Sequence, residues 1–446
     1  MICVEFAPVN TTGNYRSTKF VKYLKEFDIT PIVITFPVAE LLKSFPHAKE
    51  DISLINELPI DTIIYRIKPK DISKYYGNKL KNFITIFFDY KDKLAKVWRQ
   101  ELKKQIPNII NEHNPELIYV SLPPFSIGKL ASEIASDFNL PLVVDMRDHW
   151  ALWGVSPFAS FFHFKLTKNE EKNIFNKASK IICATEVLKE DFISLHNEID
   201  QNKFVTITNG FDYDLDLKKY NIDFQQKNKI KICFSGSFYY NPENRDNIFK
   251  KWYQKRINRW YQYVYRKEDW RYNSPYYFFK ILNEIKSINF ELFNKIEVHF
   301  IGNKPFWLQD MINEFELNEK CIHHGFVMKS EINKLYYEMD MFFVTTVKVY
   351  GGKDYMIGSK VFDFIKFSKP VLGIVCEGAM KNFIENSKIG ITINPDDNNA
   401  SKILSDLLTR IIEVNPNYDY LRNFHRRVLA SKLANIFYDI LKNNFY

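Results

Sequence analysis

One alternation runs through this chain twice and limits what it can become. Short apolar runs rich in β-branched residues recur at ICVEFA (2–7), PIVITF (31–36), TIIYRI (62–67), ELIYVS (116–121), PLVVDM (141–146), KIICAT (180–185) and FVTITN (204–209). Stretches of helical periodicity such as RSTKFVKYLKEF and SIGKLASEIASDF separate them. Brief apolar runs set between helices read as strands of a parallel sheet covered on both faces. After a polar join at 218–229 the pattern begins again with KICFSG, IEVHFIG, CIHHGFV, MFFVTT, PVLGIV and GITIN. Two successive βα arrays of similar size predict an α/β protein of two doubly wound, Rossmann-like domains facing a cleft. The expected units are residues 1–215, residues 225–415 and a helical tail at 416–446.

A chain of 446 residues can bury more than one core. Its net charge of +9 points to an anionic partner: phosphates, nucleic acid or an acidic membrane surface. No run of 18 apolar residues occurs, so no membrane-spanning helix is expected. MICVEFAP starts as a strand and not as a signal peptide, and a cytoplasmic enzyme is the default expectation. The five cysteines form no C-x-x-C pair and are read as buried reduced thiols. The nine histidines show no metal-ligand spacing, and no metal is expected.

In open α/β sheets ligands bind beyond the carboxyl ends of the strands, so those ends are where chemistry is sought. After the first run, Gly13 and Asn14 allow a tight turn whose N–H groups meet a ligand at a helix start, or an ordinary βα loop. SLPPFS contains Pro123 and Pro124, with Ser126 read as a helix cap. VDMRDHW presents Arg147, Asp148 and His149 at the cleft edge, as an ion pair or as site residues; His149 is the candidate base. TNGFDYD turns at Asn209-Gly210. In the second array CFSGSFYYNPENR ends its strand at Gly236-Ser237, and Arg245 is read as reaching a phosphate.

GSKVFDFIKFSKPVLGI (358–374) places Lys360 and Asp363 on the first turn of a predicted helix, with Ser359 as its cap. A cation is locally unfavourable at a helix N-terminus unless an anion comes to it. A carboxylate beside it accepts hydrogen bonds from sugar hydroxyls. The pair therefore suits a ligand carrying phosphate and polyol together, or it is a surface ion pair.

Taken in order, TTGNYRSTKFVKYL, ELIYVSLPPFS, VVDMRDHW, ITNGFD, CFSGSFYYNPENR and the Lys-x-x-acid helix followed by KPVL resemble the GT-B-fold, family-4-like bacterial glycosyltransferases over almost the whole length. The resemblance implies a retaining transferase with a nucleoside-diphosphate sugar as co-substrate and no further cofactor or metal. The donor would be bound mainly by the second domain, and the acceptor, a saccharide or lipid-linked saccharide, by the first. The last helix would cross back to the first domain. The resemblance places Phe326 and Val327 at the nucleobase, and Gly236, Ser237, Arg245 and Lys360 near the diphosphate. It places Asp363 where the family normally has Glu, on ribose or sugar hydroxyls. Gly13, Asn14, Asn209 and Tyr355 join the expected donor set, and Arg16, Pro124 and Arg147 the acceptor set. Asp148, His149, Lys360 and Asp363 are the expected catalytic residues. Tyr355 stands where the family's upstream acid would be. In the family's front-face chemistry the departing phosphate takes the acceptor proton, so no protein nucleophile is required. Cell-surface polysaccharide assembly is the expected setting, with a GT-B sugar-nucleotide epimerase or a non-catalytic relative as alternatives.

One segment breaks the alternation. Residues 249–279 interleave Lys250, Lys251, Lys255, Arg256 and Arg259 with Trp252, Tyr253, Trp260, Tyr261 and Tyr263, and a second basic stretch lies at 79–104. Such a mixture suits a membrane–water interface, which would put the enzyme at the inner face of the cell membrane. A solvated helical hairpin fits it as well. Nucleic acid is not the expected partner, because no motif supports it.

Overall fold

The computed structural model describes residues 1–45, 48–69, 94–155, 157–215, 219–327 and 329–444. Residues 79–93 of the second basic stretch lie outside them; from Leu94 the chain is the helix Leu94–His113. In the first half, β1 (Ile32–Thr35), β2 (Ile63–Arg66), β3 (Ile118–Leu122), β4 (Leu142–Met146), β5 (Lys180–Cys183) and β6 (Phe204–Thr206) pair in parallel. Ile2 joins the sheet, bridging Ile34 on one side and Val120 on the other. The order is thus β2, β1, Ile2, β3, β4, β5, β6. The run at 2–7, expected as a full strand, pairs only at its start. Beyond Cys3 side chains replace the ladder: Thr35 Oγ1 donates to the Val4 carbonyl at 2.9 Å. β3 and β4 are buried at every position, as a sheet covered on both faces requires.

The second half carries β7 (Tyr220–Asp223), β8 (Ile230–Ser235), β9 (Glu268–Asp269), β10 (Ile296–Ile301), β11 (Cys321–Gly325), β12 (Met341–Thr345), β13 (Lys348–Val349), β14 (Val371–Ile374), β15 (Gly390–Ile393) and β16 (Ile411–Val414). Its main sheet is parallel, in the order β11-β10-β8-β12-β14-β15. Ranked along the chain this is 3-2-1-4-5-6, the order of a doubly wound nucleotide-binding sheet, and the first domain repeats it with one further strand. The polar join at 218–229 holds β7, which pairs antiparallel with β16.

The C-terminal helix, Arg426–Asn444, returns to the first domain. Leu429, Leu433, Phe437 and Ile440 pack with Phe20, Leu24, Tyr119, Val143 and Ile182, closing one face of the first sheet. Burial of this size is what holds an amphipathic helix in place.

The insertion is not a helical hairpin. After the helix Pro242–Phe249 it runs through short turns at Trp252–Gln254 and Ile257–Arg259 to β9, which pairs with β13. It also grips the first domain. Phe158 and Tyr263 exchange backbone hydrogen bonds of 2.9 and 3.0 Å, and Arg266 donates twice to Asp191, each at 2.8 Å. Four of the five cysteines are buried, and Cys321 is partly so; none is in a disulfide.

Candidate functional site

The two sheets turn their carboxyl ends toward each other. In the second domain the switch point lies between β8 and β12. Their pairing stops at Cys233 and Phe342, although the strands run on to Ser235 and Thr345, so the sheet parts there. Three adjoining strands end on glycines in the left-handed half of backbone space: Gly236 (φ 137°), Gly302 (φ 134°) and Gly325 (φ 71°). A Cβ at Gly302 would stand 2.1 Å from the Gly236 carbonyl oxygen, so this turn closes only without side chains. The result is a floor of bare backbone, with Ser237 exposed beside it.

Lys360 lies over this floor: a Cβ at Gly236 would sit 3.8 Å from its Cγ. The helix Lys360–Ile365 starts where expected, but Ser359 does not cap it; that residue is already helical and its side chain makes no capping bond. Ser126 likewise is the first residue of its helix, and Phe125 holds the cap position. Lys360 Nζ is 3.1 Å from Asp363 Oδ2, with the two side chains 44% and 52% exposed. An ion pair that open is worth at most about 1 kcal/mol, so Lys360 can exchange its partner for another anion at little cost. Asp363 also projects its field on Tyr15 of the first domain and on Arg426 of the returning helix. Phe326 is 63% exposed at the end of β11, with Lys49 Nζ of the first domain 4.9 Å from its ring; Val327 packs partly under the neighbouring core.

Several expected site residues serve the fold instead. Arg245 is clamped by the buried Asp269 through bonds of 2.8 and 2.9 Å, and its guanidinium stacks on Phe249. It ties the insertion to the domain and has its planar fork already filled. Arg16, expected at the acceptor, is 2% exposed. It donates to both oxygens of Asp145 (2.8 Å each), to the carbonyls of Ile207 (2.8 Å) and Thr208 (2.9 Å), and to Asn209 Oδ1 (3.3 Å). Asn209 is thereby spoken for as well. Asn14 is fully buried and donates to the Val9 carbonyl at 2.8 Å. Gly13 makes room for an ion pair: a Cβ there would meet Arg147 Nη1 at 1.9 Å and Glu5 Oε1 at 2.5 Å. Arg147 pairs with Glu5 at 3.2 Å and donates to the Leu122 and Pro123 carbonyls. Pro124 opens the turn into the helix Ser126–Asp137, and its carbonyl accepts from Ile127 N.

His149, the expected base, is sealed. It has no exposed surface, Phe192 packs edge-on to it, and Tyr355 from the second domain lies 4.1 Å from it, centroid to centroid. Its Nε2 is 3.1 Å from Asp191 Oδ2. Burial pushes Asp191 upward, yet His149 and Arg266 outweigh that and hold it at about 2. Tyr355 is a latch between domains: its hydroxyl donates to Asp148 at 3.3 Å, and its carbonyl accepts from Thr185 Oγ1 at 2.6 Å. It stands on the seam, away from the glycine floor's Lys360 in its contacts. Burial raises the Asp148 carboxyl, against the pull of Arg147 and the Tyr355 hydroxyl.

Sequence reasoning missed Gly302 and Arg426. Gly302 carries the same signal as Gly236 and Gly325, a glycine at the carboxyl end of a strand. Arg426 meets the Tyr15 carbonyl at 3.5 Å beside the cleft, but nothing local marks it within a basic helix start. Asp212, in the DYD string, is held by Lys19, Lys22 and Tyr23. Among the described residues no three His, Cys, Asp or Glu side chains gather as a metal-binding set.

No family model and no curated protein sequence matches the chain. Solved structures do. The chain is similar to sucrose-phosphate synthase from Thermosynechococcus elongatus, with a TM-score of 0.58, 12% identity and 99% of each chain covered. It is similar to the lipopolysaccharide outer core galactosyltransferase WaaB (TM-score 0.54, 9% identity, 98% of each chain). It is also similar to HepE from Anabaena in complex with UDP (TM-score 0.51, 13% identity, 97% of this chain and 93% of that one). With these structures the chain shares the GT-B fold, two Rossmann-like domains facing each other across a cleft.

Proposed function

We propose that the protein is a retaining glycosyltransferase that moves a sugar from a nucleoside-diphosphate sugar to a saccharide or lipid-linked saccharide acceptor, in cell-surface polysaccharide assembly. The observation that carries this reading is the parted switch point of the second sheet, where Lys360 overhangs the bare Gly236–Gly302 backbone with Asp363 beside it. Exposed backbone suits the close approach of a diphosphate, and a mobile cation suits the charge that develops as it departs. In this reading Lys360 steadies the leaving group without a metal, Asp363 accepts from donor hydroxyls, and Phe326 flanks the base. The first domain faces the acceptor, with Tyr355 holding the two lobes together. That HepE was solved with UDP makes UDP the first nucleotide to try.

The test is a thermal-shift panel across UDP, GDP, ADP and CDP, followed by incubation with the matching sugar nucleotides, with and without acceptor and chelator. The expected result is a rise in Tm with one diphosphate and a sugar product that needs acceptor and survives chelation. An epimerised donor formed without acceptor would replace the transferase reading with the epimerase. No shift with any diphosphate would favour a non-catalytic relative.

A further inference from the structure

One face of the molecule is aromatic and cationic at once, and both domains build it. From the second domain Trp252 (60% exposed) and Tyr261 (76%) stand out with Tyr253 and Ile257. From the first domain Phe162 (66%) and Phe161 stand out at the start of the helix Phe161–Lys177. The two segments meet through rings, Phe161 with Tyr263 at 5.0 Å and Phe164 with Tyr265 at 5.4 Å, and within the insertion Trp252 meets Trp260 at 5.3 Å. The Phe158–Tyr263 backbone bridge fixes them to one another. Trp270 and Tyr272, further along the same segment, turn inward and only anchor it.

The charge is one-sided. No Asp or Glu occurs between residues 247 and 267, or between 149 and 169. Within those stretches Lys165, Lys251 and Arg256 are exposed, and Lys165 lies over the Phe161 ring at 5.3 Å. We propose that this two-domain face docks on an anionic membrane surface. Aromatic side chains settle at headgroup depth, and basic side chains around them meet anionic lipid. No helix among the described residues is long and apolar enough to cross a membrane, so contact would be along the surface. Single-stranded nucleic acid asks for open ring faces on which bases stack. Here Trp252 meets Trp260 edge to face, and Trp260 Nε1 is held by the Lys255 carbonyl at 3.0 Å. Because the face includes Phe161 and Phe162, docking would engage both lobes of the cleft at once, independently of which reaction the cleft performs.

Co-sedimentation with phosphatidylcholine vesicles, alone or with about a third phosphatidylglycerol, tests this without donor or acceptor. The protein should bind the anionic vesicles, release with salt, and ignore the neutral ones. Lys251→Gln and Arg256→Gln should each weaken the partition about fivefold, the loss of one cation near an anionic leaflet. Trp252→Ser with Tyr261→Ser, and Phe161→Ser with Phe162→Ser, should each weaken it at least as much while the protein stays folded at the assay temperature, and Phe162→Ser alone, which leaves the Phe161–Tyr263 contact in place, should weaken it too. Vesicle binding that ignores the Phe161/Phe162 pair would overturn the two-domain face. Absence of binding to anionic vesicles, or its displacement by an equal concentration of single-stranded oligonucleotide, would overturn the membrane assignment.

Discussion

The two strand-end edges that face the cleft treat their cations in opposite ways. On the first domain's edge Arg16 has its guanidinium wrapped by Asp145, two carbonyls and Asn209, all out of solvent. Arg147 beside it is shared among Glu5 and two carbonyls. On the second domain's edge Lys360 has one partner, half exposed, above a floor of glycine backbone. Both edges are the carboxyl ends of parallel sheets with the same strand order. The difference lies in how far each charge is removed from water and how many partners it has. The first edge is a bracket that holds its own loops, and its positive charge is neutralised where it stands. The second edge keeps a charge that an arriving anion can claim. A cation at a strand end therefore says little until its partners are counted.

The sharpest way to break this comparison is Arg16→Ala. It leaves the Asp145 carboxylate buried without its partner, and Tyr119, which donates to Asp145 at 2.5 Å, cannot neutralise it. Removing one member of a buried pair typically costs about 3–5 kcal/mol. Denaturant unfolding should show a loss of that size in unfolding free energy, with Arg16→Lys intermediate because an ammonium cannot make the two-pronged contact. An Arg16→Ala protein as stable as the parent, and defective only toward acceptor, would restore the binding role expected of this residue.

The seam between the edges gives a second, smaller test. Asp354 and Glu268 are both buried there, Asp354 Oδ1 accepting from Met356 N at 3.3 Å and Glu268 Oε2 from Trp270 Nε1 at 3.1 Å. Asp354 Oδ2 has no partner among the described residues, and Arg266 is the cation in the field of both. Burial lifts Asp354 from 3.8 to about 8 and Glu268 from 4.5 to about 7. The folded protein then binds more protons than the unfolded chain between those values, so stability falls as pH rises through this window and levels off above about 8. The slope is at most about 1.4 kcal/mol per pH unit for each group. Asp354→Asn should flatten the pH dependence of unfolding between pH 5 and about 8 relative to the parent. An unchanged slope would mean that the carboxyl is solvated and the seam is wet.

What the sequence made legible follows from distance along the chain. The strands of the two main sheets could be read because each is a local run, most of them buried on both sides; the run at 2–7 pairs only at its start, and the short strands of the small antiparallel pairs, β7 with β16 and β9 with β13, were not read. Lys360 and Asp363 could be read as a pair because they stand one helical turn apart. Arg16, Arg245 and Tyr355 could not, because their partners lie 129, 24 and 207 residues away. A cation whose partner is distant looks unpaired in a sequence and inviting to a ligand. Gly302 was within reach: it follows its strand as Gly236 does, and Gly325 ends its own; only the close approach of its backbone to that of Gly236 was hidden, because the two lie 66 residues apart.

The mildest predicted effect on stability is also the one that sharpens the contrast most. Lys360→Ala removes an exposed ion pair to Asp363 and leaves no buried charge behind, so unfolding free energy should change by no more than about 1 kcal/mol. If the same side chain steadies a departing diphosphate, turnover of the donor should fall by an amount worth about 2.7–4 kcal/mol, the usual loss when one preorganised stabilising group is deleted. Unfolding and turnover measured on the same preparation separate the two edges: Arg16 would weigh on the first and Lys360 on the second. Equal, large losses of stability from both variants would mean that the second edge is a bracket as well. The diphosphate would then have to be met by backbone N–H groups at the glycine floor alone.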